Sequence, residues 1–298
     1  MPALAKLPVA DRAMGQSSAG VKMDVHYPVT GRAGLDGIFA EYARARILEV
    51  GRPGPDETHG VPYSLIASYK VTRNDDRFFA VLYSVEEYTG GAHPIHFQES
   101  FTFVMPRARR VYLPELVDGA RGLGKLGRLA VADLGKRLLH GPDSMTNADW
   151  IRDGATPAQL AVTPFEWGPQ SLVLHFGDYT VAPYAAGPQD VHIPMASIAD
   201  IVRPDPGAPA PSFDCAKAAG AVEKALCADA DLARLDWRVA WAYARKRGME
   251  KDAKAQAALL ADQRAFLAAR DRSCANGDEV CLSKAYRRRL AILEPPAP

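Results

Sequence analysis

One segment constrains the fold of this chain more than any other: Arg203-Pro-Asp-Pro-Gly-Ala-Pro-Ala-Pro-Ser212. A run so rich in proline holds neither a helix nor a central strand and favours an extended linker. It also divides two unlike sequence patterns. Before it, apolar residues alternate with period two; after it, they recur at three and four. The expectation is an α+β domain over residues 20–202, a linker over 203–212, and a small all-α domain over 213–294.

In the first part, Asp24 to Val29 reads as a strand, and Leu35, Ile38, Phe39 and Tyr42 mark a helix running to about Val50. Strand patterns follow at Tyr63–Thr72, Phe78–Tyr88 and Ile95–Met105. In the last of these Ile95, Phe97, Phe101 and Phe103 share one face, with Gln98, Ser100 and Thr102 on the other. Leu126, Ala130, Leu134 and Leu138 give a second helix, and Ser171–Phe176 and Asp190–Pro194 complete a mainly antiparallel sheet. All these stripes are expected to form a core.

In the second part, Leu232, Leu235, Val239 and Ala242 fall on one helical face. So do Leu259, Gln263, Phe266 and Arg270, and then Leu282, Tyr286, Leu290 and Leu293. Three or four short helices make a small core, the setting in which disulfides help most. All four cysteines lie here: Cys215, Cys227, Cys274 and Cys281. An even number clustered in a short segment points to a disulfide-stapled exported domain rather than to zinc, whose ligands prefer tighter pairs. Cys215 and Cys227 would be about 18 Å apart on one unbroken helix, too far to bridge. However, Gly220 followed by Glu223 looks like an N-cap with its N3 glutamate, so the chain could fold back before that helix. Asn276-Gly277 marks a turn between the other two. Three connectivities are open at this stage. An exported protein needs a signal peptide, and Met-Pro-Ala-Leu-Ala-Lys has no apolar core, so a chain with its signal removed is expected.

Lys+Arg 36 against Asp+Glu 35 leaves a net charge of +1. That balance argues against nucleic acid or a membrane surface as partner. No stretch approaches the roughly 18 apolar residues of a membrane span. Gly122-Leu-Gly-Lys-Leu-Gly127 matches a dinucleotide fingerprint, and Gly119–Lys125 approaches a phosphate loop with Leu126 where Ser or Thr must stand. Neither sits in a strand–loop–helix context, and a helix start softened by glycine is expected. His93 and His96 are expected on opposite faces, as are Glu86 and Glu87, so neither pair makes a metal or glycosidase site. No cofactor is expected, and the class is a binding protein rather than an enzyme.

One loop stands out: Glu87-Tyr-Thr-Gly-Gly-Ala-His-Pro94. Two glycines permit positive φ, Pro94 fixes the exit, and strand patterns run in on both sides. Its candidate binding residues are Tyr88, Thr89, Gly90, Gly91 and His93. The plainer alternative is a tight hairpin with His93 bonded to backbone.

The run Val81-Leu-Tyr-Ser-Val-Glu-Glu-Tyr-Thr-Gly-Gly-Ala-His-Pro94 resembles the signature strand of an extracytoplasmic domain of RsiV-type anti-sigma factors and PdaC-type deacetylases. Val25-His-Tyr-Pro28 and Phe176-Gly-Asp-Tyr-Thr-Val-Ala-Pro-Tyr-Ala-Ala-Gly187 resemble its opening and closing segments. In the anti-sigma members that domain binds lysozyme. The second part resembles the LprI-type domain, named for a mycobacterial lysozyme-inhibiting lipoprotein. The matching residues are Ser212-Phe-Asp-Cys215, Glu223-Lys-Ala-Leu-Cys227, Asp231-Leu-Ala-Arg-Leu-Asp236, Tyr243, Gln263-Arg, Arg270-Asp, Cys274, Cys281-Leu and Tyr286-Arg-x-Arg-Leu290.

Both resemblances imply a periplasmic or secreted protein that inhibits lysozyme or another peptidoglycan-cleaving glycosidase. Insertion of the loop, with His93 hydrogen-bonding the paired carboxylates of the cleft, is the implied mechanism. The alternatives are an immunity protein against a toxic peptidoglycan hydrolase, and a binder of peptidoglycan itself through aromatics such as Tyr88, Trp150 and Trp167. Residues 213–294 hold 16 Lys+Arg and 12 Asp+Glu, leaving 20 against 23 elsewhere. The mildly acidic first domain suits a basic lysozyme better.

Overall fold

A computed structural model of the chain describes residues 6–18, 20–51, 61–141, 144–203, 211–213, 215–250 and 252–293. In chain order the elements are β1 (Ala10–Ser18), β2 (Val21–Val29), α1 (Ala33–Val50), β3 (Tyr63–Asn74), β4 (Phe78–Tyr88), β5 (Ile95–Val104) and β6 (Arg109–Val111). Next come α2 (Leu113–Leu116), α3 (Gly119–Leu138), α4 (Ala148–Gly154), α5 (Pro157–Leu160), β7 (Phe165–Trp167), β8 (Ser171–Phe176), β9 (Gln189–Pro194) and α6 (Met195–Ile198). The last four helices are α7 (Ala221–Ala228), α8 (Ala230–Met249), α9 (Ala253–Ser273) and α10 (Glu279–Leu293).

Two compact units result. The first is Met1–Tyr112, Arg128–Ala155 and Thr163–Asp200; the second is Leu113–Gly127, Thr156–Val162 and Ile201–Pro298. Residues 204–210, most of the expected linker, lie outside the described residues.

The first unit is α+β. Its main sheet has the order β1-β2-β3-β4-β5-β6. Only the β2–β3 pair is parallel, and α1 lies in the crossover that a parallel pair requires. The inner face carries Val25, Leu65, Phe79, Val81, Tyr83, Phe101 and Phe103, all buried against Leu35, Phe39 and Ala43 of α1. Phe39 sits at the centre, its ring 5.6–6.5 Å from those of Phe79, Tyr83, Phe101 and Phe103. Burying such a side chain contributes about 1.5–3 kcal/mol. Asp36, in the first turn of α1, accepts from the backbone N–H groups of Thr30 (2.7 Å) and Gly31 (3.1 Å), fixing the chain's entry into the helix.

The sequence reading expected the strands after α3 to complete that sheet, and they do not. They form a second antiparallel sheet, β7-β8-β9. The reason lies in β4. Phe78, Ala80 and Leu82 point away from the inner core yet are buried too, because β7 covers that end of the outer face. Glu166 of β7 pairs with Lys70 at 2.7 Å, and the Phe165 N–H donates to Ser100 Oγ at 3.1 Å. From Ser84 onward the cover stops and the outer face of β4 opens. Gly122 and Gly124 lie inside α3, so the two glycine-rich matches are helical, as expected.

The second unit is helical and doubly stapled. Disulfides join Cys215 to Cys227 (Cα–Cα 5.8 Å) and Cys274 to Cys281 (5.7 Å), the local connectivity. The first is possible because α7 begins only after Gly220. The Glu223 carboxylate accepts from the N–H groups of Ala219 (2.7 Å) and Gly220 (3.3 Å) there, and these bonds hold its pKa below the usual value. Leu232, Leu235, Val239 and Ala242 of α8 pack on Leu282, Tyr286, Leu290 and Leu293 of α10. Polar side chains are threaded through this core. The buried Tyr286 hydroxyl donates to Asp236 Oδ1 at 2.6 Å and accepts from Arg270 at 2.5 Å. The Ser212 N–H donates to the other Asp236 oxygen at 2.6 Å, and buried Arg289 donates to Gln263 at 3.0 Å.

Candidate functional site

In the first unit the β4–β5 connection meets the segment that follows β8. Gly90 and Gly91 adopt φ of 96° and 107°, which only glycine takes without strain. Tyr88 Oη donates to the Gly91 carbonyl at 3.1 Å and closes the loop on itself. Thr89, Gly90, Gly91 and Ala92 form the exposed tip.

His93 does not project with them. Its half-buried ring stacks on Tyr184, centroids 3.8 Å apart and planes at 22°. Nδ1 lies 2.9 Å from the Pro94 carbonyl, which can only accept. That bond assigns the proton of the neutral ring to Nδ1 and leaves Nε2 to accept from Tyr179 Oη at 3.3 Å. The hairpin alternative therefore describes the ring's own bonding, and the stack on Tyr184 is what the sequence did not disclose.

The facing segment is itself pinned. Tyr179 has φ of 64°, uncommon for a residue with a side chain, and its ring is 52% exposed. Its carbonyl accepts from Trp150 Nε1 of α4 at 3.2 Å. Asp178, with a buried carboxylate, accepts from the His96 N–H at 3.3 Å and lies 3.6 Å from His96 Nδ1. On its other side His96 Nε2 is 3.3 Å from Glu86. His96 and His93 thus both border Tyr184, contrary to the expected opposite faces. Strand alternation does not reach across Pro94, because β5 starts only at Ile95. Glu86 and Glu87 do diverge as expected, since Glu87 pairs with Arg46 of α1 at 2.5 Å.

Beside this cluster runs a groove of about 340 Å³ on the open outer face of β3, β4 and β5. Ser68, Ser84 and Gln98 stand in one cross-strand row, and Ile66, Glu86 and His96 in the next. Gly177 and Pro188 form its wall. Trp167, expected as a stacking residue, is buried at 4% exposure and belongs to the core. Among the described residues no group of three or more His, Cys, Asp or Glu is arranged to hold a metal ion, and no helix is long and apolar enough to cross a membrane. The residues missed by motif reasoning are Asp178, Tyr179 and Tyr184. Their signal was present in the Phe176–Gly187 run, which the fold brings against the Val81–Pro94 run.

Residues 122–196 match the family described as "Protein of unknown function (DUF3298)". That DUF3298 stretch contains β7 to β9, the Asp178–Tyr184 segment and Trp150, but not the Tyr88–Pro94 loop. Crystal structures of DUF3298 family members resemble the chain. One is from Pseudomonas aeruginosa PAO1 (18% identity, TM-score 0.48) and one from Bacteroides fragilis (14%, 0.46). Each alignment covers 67% of this chain and 96% of the other. No curated protein matches the chain.

Proposed function

We propose that this chain is a non-catalytic periplasmic or secreted protein that binds and inhibits a lysozyme or another peptidoglycan-cleaving glycosidase. The contact is the tip Thr89–Ala92. The observation that carries this reading is the bracing of that loop: an exposed, short-side-chain tip held rigid by Tyr88, His93, Tyr179 and Tyr184. A loop already in its bound shape loses little conformational entropy when it enters a cleft. Because the imidazole is turned inward, the tip backbone meets the cleft carboxylates, and His93 acts as the positioning residue behind it. Two disulfides fit an oxidising compartment, and the excess of acidic residues outside 213–294 suits a basic partner.

The test is inhibition and calorimetric binding by the oxidised protein against animal C-type and bacterial lysozymes, with His93→Ala alongside. Saturable inhibition, weakened roughly tenfold in a folded His93→Ala variant by loss of one braced contact, supports the reading. Inhibition unaltered by His93→Ala would sink the loop as the contact. Absence of binding to every lysozyme tried would transfer the proposal to a dedicated toxic hydrolase.

A further inference from the structure

The outer-face groove of the first unit makes no use of the loop tip, and its chemistry points to a ligand of its own. Ser68, Ser84 and Gln98 are in register on adjacent strands, Ser68 opposite Ser84 and Ser84 opposite Gln98. Their side chains make no hydrogen bond to the described residues, so two hydroxyls and a carboxamide face the same space. The charged groups around them are committed to one another: His96 lies between Glu86 and Asp178, and Lys70 pairs with Glu166. Counting those side chains, carboxylates outnumber ammonium groups, so an anion would meet repulsion rather than a clamp.

Peptide strand addition does not suit the site either. The groove lies on the face of the sheet, centred on β4, whose backbone is paired by β3 on one side and by β5 on the other. What the groove offers is side-chain hydroxyl and amide, each able to donate and to accept. At its His96 end stands an aromatic ledge, with Tyr184 centred 6.3 Å from His96, 6.1 Å from Tyr179 and 3.8 Å from His93. Hydroxyl-rich rings with apolar C–H faces match that pairing of uncharged hydrogen-bonding groups with aromatic surface. The 340 Å³ volume is at the small end of ligand sites.

From this geometry we infer that the groove formed by Ser68, Ser84, Gln98, Glu86 and His96, with Tyr184 at its edge, binds a short neutral saccharide. The inference is independent of the hydrolase reading, and its test uses no hydrolase.

The oxidised full chain, labelled with nitrogen-15, is titrated separately with N,N′-diacetylchitobiose, cellobiose and inorganic phosphate. Amide shifts and calorimetry supply the readout. The expected result is saturable shifts at Ser68, Ser84, His96 and Gln98 with at least one disaccharide and none with phosphate. Ser84→Trp, which fills the groove on an exposed strand position, should abolish binding. Gln98→Ala should weaken it about tenfold, the worth of one polar contact. If Ser84→Trp does not fold, Gln98→Ala decides the matter. Absence of saturable shifts with both disaccharides overturns the inference. So does binding that is unchanged in the folded variants, or saturable phosphate binding at these residues.

Discussion

Tyr286→Phe isolates one oxygen in the core of the second unit. The ring is fully buried, packs edge-on against Phe266 at 5.7 Å, and would stay in place as phenylalanine. The hydroxyl it would lose donates to Asp236 at 2.6 Å and accepts from Arg270 at 2.5 Å, both charged partners. A hydrogen bond to a charged group is worth about 1.5–3 kcal/mol, and a buried charge left short of partners adds cost. Two such bonds disappear, but the loss is partly offset. Asp236 keeps the Ser212 N–H at 2.6 Å and Arg270 keeps Asp271 at 2.7 Å. The net destabilisation should be about 3 kcal/mol, a fall of about 1–3 M in the urea midpoint at ordinary m-values. Burial and the Asp236 charge raise the Tyr286 pKa well above the phenol value. A phenol with a raised folded pKa contributes stability that is intact below its unfolded pKa of about 10 and is lost as pH rises further, so neutral pH is a clean condition. Tyr243→Phe is the control. The Tyr243 hydroxyl is buried without a hydrogen-bond partner among the described residues, so its removal should be neutral or stabilising. Urea unfolding followed by helical circular dichroism measures both. The reasoning fails if Tyr286→Phe costs less than about 0.5 kcal/mol, or if the two variants shift alike.

Replacing Cys274 and Cys281 by serine should cost about 2.5 kcal/mol from the loop they close, and replacing Cys215 and Cys227 about 3 kcal/mol; thermal melts of the two double variants check this. At Gly154 an added Cβ would lie 2.3 Å from the Thr180 carbonyl oxygen, a backbone atom that cannot step aside. Gly154→Ala should therefore cost about 1–3 kcal/mol and displace Tyr179, which is read as a shift in the His93 ring resonances. Hydrogen bonding to His175, with Lys70 adding to it, lowers the Glu166 pKa to about 2 despite burial. Its stabilising contribution is thus complete above the unfolded pKa near 4.5 and fades as pH falls through 2. Glu166→Gln should flatten the stability profile across that window, and an unchanged acid slope would count against the pairing.

The sequence predicted local periodicity well, because burial on one face writes itself into every second or every third-to-fourth residue. Phe78–Tyr88 and Ser171–Phe176 have the predicted bounds. β1 was missed for the same reason: apart from half-buried Met14 and Gln16 its residues are exposed, so no apolar alternation marks it. The second sheet was missed because β4 is apolar on both faces over Phe78–Tyr83, and one strand cannot say what covers it. Glu99 was passed over in β5. It stands opposite Tyr83 on the core side, and burial raises its pKa even though Arg46 and Arg110 counter that rise. At the site, the loop was legible from Gly90 and Gly91, while the stacking of His93 on Tyr184 spans ninety-one residues and has no local signature.

The residues behind the two resemblances have different physical occupations, and that difference bears on where a partner binds. In the helical unit, Asp236, Arg270 and Tyr286 satisfy one another, Gln263 satisfies Arg289, Glu223 holds the entry to α7, and the four cysteines are paired. Each of those side chains is engaged in holding the helical unit together, which leaves little of that set to meet a partner. In the α+β unit the Val81–Pro94 and Phe176–Gly187 runs, far apart in sequence, instead converge on an exposed turn and an open groove. Tyr88, His93, Tyr179 and Tyr184 brace the turn, and Glu86 and His96 line the groove. Side chains spent on holding a surface loop rigid add little to a core, and they make physical sense where that loop or the groove beside it is used for binding.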